Sequence, residues 1–292
     1  MNGPLRIDVV SDVVCPWCFI GKRHLDVALA GWRQNHPEVP VAITWQPYFL
    51  NPDTPEHGEP YRPFLERKFG GALAVDELQA RVAAAGRRAG VEFAFDKIAL
   101  RANTLRAHRL LHHAQALAAG VGPGRGLVSH PEKVSPGVGL ASHQEKVSPG
   151  GGLASHQEKV SPGSGLASRQ GKVSPGSGLA SRQGKVSPGG TAIDIDALVE
   201  ALFAAHFMHG EHVGNIEVLV RAASAAGLEA NVVRAYLDSD ADADTVRAAA
   251  DRARQIGVSG VPCFIFDGRF ASVGAQPPET LRQGMEQALS TE

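Results

Sequence analysis

Cys15-Pro16-Trp17-Cys18 stands where an apolar run, Leu5 to Val10, gives way to a helical pattern that Pro16 opens. A strand that delivers two thiols onto the first turn of a helix leaves few architectures open. Proline has no N–H to lose and suits the first helical position. The two-residue spacer lets both sulfurs approach on that turn, where unpaired backbone N–H groups and the helix dipole favour a thiolate. This placement, more than the spacing itself, points to redox chemistry.

The flanking periodicities extend the pattern. Trp17, Ile20, Leu25, Ala28, Leu29 and Trp32 recur at near-helical intervals from Pro16 to Arg33, and Val41, Ile43 and Trp45 then alternate as a strand closed by Pro47. The start is therefore β-α-β, followed by a Pro-rich, polar stretch from Asn51 to Pro63 that reads as loop. Helical patterns follow over Val75–Arg88, Asn103–Ala119, Asp194–Phe207, Asn215–Ala226, Glu229–Asp238 and Asp242–Ile256. Strands return at Cys263–Phe266 and Arg269–Val273, joined by Asp267-Gly268, a strong hairpin signal. Pro277-Pro278-Glu279 opens a last helix that runs to Leu289. Together these elements predict an α/β chain, a thioredoxin-like fold made from residues 1–50 and 257–292. An all-helical domain, residues 51–125 and 191–256, is inserted into it.

A tandem repeat interrupts the insertion. The unit Val-Ser-Pro-Gly-x-Gly-Leu-Ala-Ser-His/Arg-Gln-Glu/Gly-Lys starts at Val134, Val147, Val160 and Val173, with a truncated copy at Val186, a period of 13. Residues 126–190 contain no Phe, Trp or Tyr and carry Pro and Gly in every unit. Such a segment buries too little apolar surface to offset its ordering entropy, so disorder is the expectation. The alternative is a dedicated binding tract.

Composition narrows the function classes. With 29 basic and 30 acidic residues the formal charge is -1, and no Lys/Arg run marks a nucleic-acid surface. No segment has the run of about eighteen apolar residues that spans a membrane. The N-terminus lacks a secretion signal, and three cysteines do not make a disulfide scaffold, so a cytoplasmic location is expected.

Three stretches are similar to the cytoplasmic DsbA-like thioredoxin-fold oxidoreductases of the FrnE type. They are Ser11 to Arg23 around the thiol pair, Asn103-Thr-Leu-Arg-Ala-His-Arg-Leu-Leu111, and Gly257 to Phe270 together with Gly274-Ala-Gln276. The resemblance implies thiol–disulfide exchange, with Cys15 as nucleophile and Cys18 as resolving thiol, tuned by Pro16, Trp17 and Pro262. It also implies a cis bond at Val261-Pro262 facing the pair, and substrate contacts from Val261, through its backbone, and from Gln276. The expected partners are protein or small-molecule thiols and disulfides, and a homodimer is entertained. No cofactor is expected, though glutathione is admitted as co-substrate. The chain departs from the pattern in its repeat tract and at Cys263, where Thr is usual after the proline. Cys263 reads either as a small buried strand residue or as a third redox thiol.

Other readings compete. A Cys-x-x-Cys can be half a zinc site, but no second pair exists. The clusters His108/His112/His113 and His206/His209/His212 lack the His-Glu-x-x-His arrangement and read as helix-surface or core-edge histidines, so no metal is expected. A glutathione-dependent isomerase of the 2-hydroxychromene-2-carboxylate type, or a kappa-class glutathione transferase, shares the inserted fold but usually has Ser where Cys15 stands. A non-enzymatic chaperone or interaction protein is the third reading.

Overall fold

The computed structural model describes residues 3–121, 135–136 and 192–290. The repeat tract, apart from Ser135 and Pro136, lies outside these residues, and with it the expectation of disorder.

β1 (Leu5–Ser11) is buried at six of its seven positions, as a central strand requires. α1 (Pro16–Asn35) carries the chain back so that β2 (Val41–Pro47) pairs with β1 in parallel, Leu5 opposite Val41 and Val9 opposite Trp45. The outer backbone of β2 is met by a side chain: Gln115 accepts from Trp45 N–H at 2.7 Å and donates to Trp45 C=O at 3.1 Å. An amide thus extends the ladder where the next strand would stand.

The middle of the chain is helical, as the periodicity indicates: α3 (Ala72–Arg88), α4 (Leu105–Ala118), α5 (Ile195–Phe207), α6 (Ile216–Ala225), α7 (Ala230–Asp238) and α8 (Ala243–Gln255). The stretch read as loop is less simple. Glu59–Pro60 forms β3, paired antiparallel with β4 (Leu100–Arg101), and α2 (Tyr61–Phe69) follows directly. Buried Arg109 on α4 reaches the C-terminal end of α7 and donates to the carbonyls of Tyr236 (2.9 Å), Ser239 (2.7 Å) and Ala241 (2.7 Å). A guanidinium there complements the negative end of the helix dipole.

β6 (Cys263–Phe266) runs antiparallel to β1, with Cys263 opposite Val10 and Phe266 opposite Ile7. β7 (Phe270–Val273) returns along β6. Asp267 and Gly268 between them have φ of 47° and 69°, the left-handed backbone that tight hairpin turns need. Ser135–Pro136, β5, lies in parallel along the outer edge of β7. The sheet is mixed, ordered β2-β1-β6-β7-β5. α9 (Pro278–Ser290) packs on α1, β1, β6 and β7, while α4 and α8 pack on β2. The result is a thioredoxin-like α/β fold with helices between its two β-containing ends. One continuous apolar core links residues of β1, α1 and β6 to Leu198, Leu202 and Phe203 of α5.

Candidate active site

The register of the central strands builds the site. Val10 lies opposite Cys263, so Pro262, immediately before β6, comes beside the end of β1 from which the chain turns into α1. That turn is closed by Cys15 N–H donating to Asp12 C=O at 2.9 Å, and Cys15 becomes the N-cap residue of α1. Its carbonyl accepts from Cys18 N–H at 3.0 Å, and no side chain caps the helix. The positive end of the α1 dipole is therefore left at Cys15.

The Val261–Pro262 bond is cis. Across it the Cys15 thiol donates to the Val261 carbonyl at 3.7 Å. The loop after β7 holds this segment from the far side: Gly274 N–H donates to Pro262 C=O at 2.7 Å. Gly21, one turn beyond Cys18, lets α1 approach. A Cβ at that position would sit 2.8 Å from Pro262 Cγ and 3.2 Å from Phe264 Cζ. The absence of a side chain at residue 21 is thus what brings the thiol pair under the proline.

The two thiols have unequal surroundings. Cys18 is 1% exposed and Cys15 4%. Burial, foremost, and the adjacent Cys15 push the Cys18 thiol well above its ordinary range, and the nearby Ser11 hydroxyl offsets this only in part. Cys18 therefore holds its proton. All three cysteines are free thiols. Cys263 is 1% exposed, and burial alone pushes its thiol up to about 12, which fits the small-buried-residue reading.

The remaining expected residues are dispersed. Trp17 is exposed on the first turn of α1, with Pro16 half-buried beside it. The Gln276 side chain folds onto its own loop, donating to Val273 C=O at 2.7 Å, while its main-chain carbonyl meets His24 Nδ1 on α1 at 2.9 Å. It makes no contact with either active-site thiol among the described hydrogen bonds.

Several residues that frame the site escaped the sequence reading. Asp12, 1% exposed, accepts from Leu50 N–H at 2.9 Å and faces His108 Nε2 of α4 at 3.4 Å. Of the two histidine clusters, His209 is exposed and His112 and His212 are half-buried, whereas His108, His113 and His206 are buried, because the helices that carry them form inner walls. Lys22 is buried too, paired with Asp26 within α1 (2.9 Å) and bridging to α5 through Asp196 (3.1 Å) and Glu200 (3.3 Å). Among the described residues no group of three or more His, Cys, Asp or Glu converges as metal ligands. None of the described helices is long and apolar enough to cross a membrane.

Comparison with known proteins bears on the family and the fold. The family model of the DSBA-like thioredoxin domain matches residues 6–123 and 190–286. Among solved structures, a probable DsbA oxidoreductase of Streptomyces coelicolor superposes with a TM-score of 0.66 at 23% identity, covering 99% of this chain and 91% of its own. A candidate protein disulfide isomerase of Nitrosomonas europaea gives 0.56 at 15% identity, covering 99% of each chain. A 2-hydroxychromene-2-carboxylate isomerase gives 0.53 at 12% identity, covering 97% of this chain and 96% of its own. At such identities the likeness establishes the fold alone. No curated protein matches the chain.

Proposed function

Because the chain belongs to the family of DSBA-like thioredoxin domains, we propose that it is a thiol–disulfide oxidoreductase of the FrnE type, acting through Cys15 and Cys18. The observation that carries the reading is the inequality of the two thiols. Cys18 is enclosed and protonated, which leaves attack to Cys15 at the helix N-terminus. Cys15 Sγ attacks a substrate disulfide, one substrate sulfur leaves as thiolate, and Cys18 then displaces the other to leave the Cys15–Cys18 disulfide. Run in reverse, the same steps oxidise a substrate dithiol.

In this reading Pro16 and Trp17 tune the pair. Ionisation of Cys15 removes its hydrogen bond to Val261 and frees that carbonyl to accept from the backbone of an extended substrate beside Pro262. Gln276 contributes a substrate contact from the loop after β7. The substrates are protein or small-molecule thiols and disulfides, with glutathione as a co-substrate and no resident cofactor. A reducing, cytoplasmic compartment suits three unpaired thiols.

The test is disulfide trapping. Cys18→Ser should accumulate a mixed disulfide with a model disulfide substrate such as insulin, and Cys15→Ser should not. Insulin reduction by Cys15→Ser at the wild-type rate would overturn the proposal. Glutathione-dependent turnover that survives the same substitution would support the isomerase reading instead.

A further inference from the structure

The resolving step poses a problem that the thiols alone do not solve. Cys18 must lose its proton to attack, yet it is enclosed, and no carboxylate or imidazole is hydrogen-bonded to it among the described contacts. The group next to it is the Ser11 hydroxyl, at the end of β1. Ser11 Oγ is itself buried and completes no well-formed hydrogen bond with the protein. A buried hydroxyl left in that state costs free energy unless a water satisfies it.

The space for that water is present. Ser11 lines a cavity of about 20 Å³ whose wall also includes Gln46, His108, His112 and Gln115. This exceeds the roughly 10–15 Å³ that one water needs, and the wall supplies several polar partners. His108 of α4 is buried, its ring perpendicular to that of Phe49 with centroids 5.3 Å apart and its Nε2 facing Asp12 at 3.4 Å. Donation from Nε2–H to Asp12 leaves the other ring nitrogen as an acceptor, and the Asp12 carboxylate stabilises the imidazolium once a proton arrives.

We propose that Ser11, a water in this cavity and the Asp12–His108 pair form the proton exit of Cys18 during resolution of the mixed disulfide. The proposal rests on Cys15 and Cys18 acting as a redox pair. As the Cys18 sulfur bonds to Cys15 Sγ, the Cys15–substrate S–S bond breaks and its electron pair leaves on the substrate sulfur. The Cys18 proton passes through the Ser11 hydroxyl and the water to His108, giving imidazolium beside Asp12 carboxylate. The leaving thiolate takes its proton from solvent. In the reverse direction the imidazolium returns the proton to Cys18 as it leaves. Among the described residues other titratable groups face the relay: His112 of α4 lines the same cavity, Asp8 of β1 accepts from Gln46 Nε2 of its wall at 3.1 Å, and His206 of α5 is close enough to Asp12 to sense its charge.

Stopped-flow kinetics of the full chain with a chromogenic aryl disulfide separate the steps, since formation and resolution of the mixed disulfide each release one aryl thiolate. Wild type should show an acid limb in resolution as the accepting imidazole becomes protonated. His108→Gln, which keeps a polar group but takes no proton, should lose the plateau above that limb, so that resolution rises with hydroxide throughout, and should slow it about 100-fold near neutrality, the lower end of general-base effects. Its rate of mixed-disulfide formation should be unchanged. Ser11→Ala, a minimal change should the histidine variant not fold, should slow resolution and keep the wild-type acid limb. A His108→Gln enzyme whose resolution keeps the wild-type pH profile overturns the relay. So does slowing of both steps by one factor, which would mark a structural role. Absence of any aryl thiolate release by wild type would instead sink the redox reading beneath it.

Discussion

His206 offers a measure of how completely α5 seals the wall behind the site. The residue is 2% exposed, its ring centroid lies 4.7 Å from that of Phe207 and 6.5 Å from that of Tyr61, both rings steeply inclined to it, and Nδ1 lies 3.5 Å from the Glu211 carbonyl. Burial is the main cause that pulls its pKa down from 6.5 to about 4; the Glu211 carbonyl and the Asp12 charge act against it. At pH 7 the ring is neutral in the fold and mostly neutral in the unfolded chain, so its pH dependence there is small. Below 6.5 the unfolded chain takes up a proton that the fold refuses until about 4, so stability falls as pH falls. Integrated from pH 7 to 4, the 2.5-unit depression is worth about 3 kcal/mol, with a slope approaching 1.4 kcal/mol per pH unit. Urea unfolding of wild type and His206→Gln across this range isolates the contribution, because every other titrating group is common to both. The variant is expected to be the less stable at pH 7 and to close the gap by about 3 kcal/mol at pH 4. Stability curves that remain parallel below pH 6.5 would refute the reasoning, whatever their separation.

Gly21→Ala sets a methyl 2.8 Å from Pro262 Cγ. Overpacking of this kind costs about 1–3 kcal/mol, and because the proline must move off the thiol pair, kcat/KM for insulin reduction should fall more than Tm alone suggests; unchanged turnover would contradict the close-approach argument. Lys22→Met strands three carboxylates, but Asp196 and Asp26 keep some solvent. Chemical denaturation should therefore show a loss of about 2 kcal/mol, below the 3–5 of fully buried pairs, and a silent substitution would show that the bridge adds nothing. Asp26 itself has its carboxyl raised, chiefly by burial, despite Lys22. Its ionisation therefore lowers stability as pH rises from its unfolded value through its folded one, and Asp26→Asn should hold or raise Tm at pH 7, a fall counting against this. Cys263→Thr should leave the potential of the pair and the turnover unchanged, since a thiol pushed up to about 12 stays protonated; a shifted potential would make it a redox participant.

The ends of the fold were legible because burial there is periodic over long runs. α1 repeats its apolar positions through five turns, and the β6–β7 turn carries Asp267-Gly268, a dipeptide that tolerates two successive positive φ angles. α2 was not legible, and for a related reason. Only Leu65 of its nine residues is fully buried, Pro63 lies near its start, and Arg62, Glu66, Arg67 and Lys68 leave no apolar stripe. A nine-residue helix with one buried side chain has no measurable period, and the prolines around it read as loop. Its existence depends on tertiary contacts, including Arg101, whose guanidinium lies 3.8 Å over the Phe64 ring.

The thiol pair and its facing proline could be read because each sits in a local signature, a proline-opened helix or a Val-Pro step before a strand. Their back wall could not. Asp12 and His108 are 96 residues apart, and neither position carries a local pattern that distinguishes a paired side chain from a buried or solvated one. What brings them together is the stacking of α4 on β2, fixed in part by the Gln115 amide on Trp45, two turns along the same helix from His108. Gly21 shows the same dependence. In sequence it is a glycine inside a helix, which costs about 1 kcal/mol relative to alanine and predicts nothing about the site. Only the register that sets Cys263 opposite Val10 makes that missing side chain the space Pro262 occupies, and so gives the glycine a role. The residues of the candidate site are visible from their own neighbours in sequence; residues that position them acquire their meaning from strand register and helix packing, which no window of sequence contains.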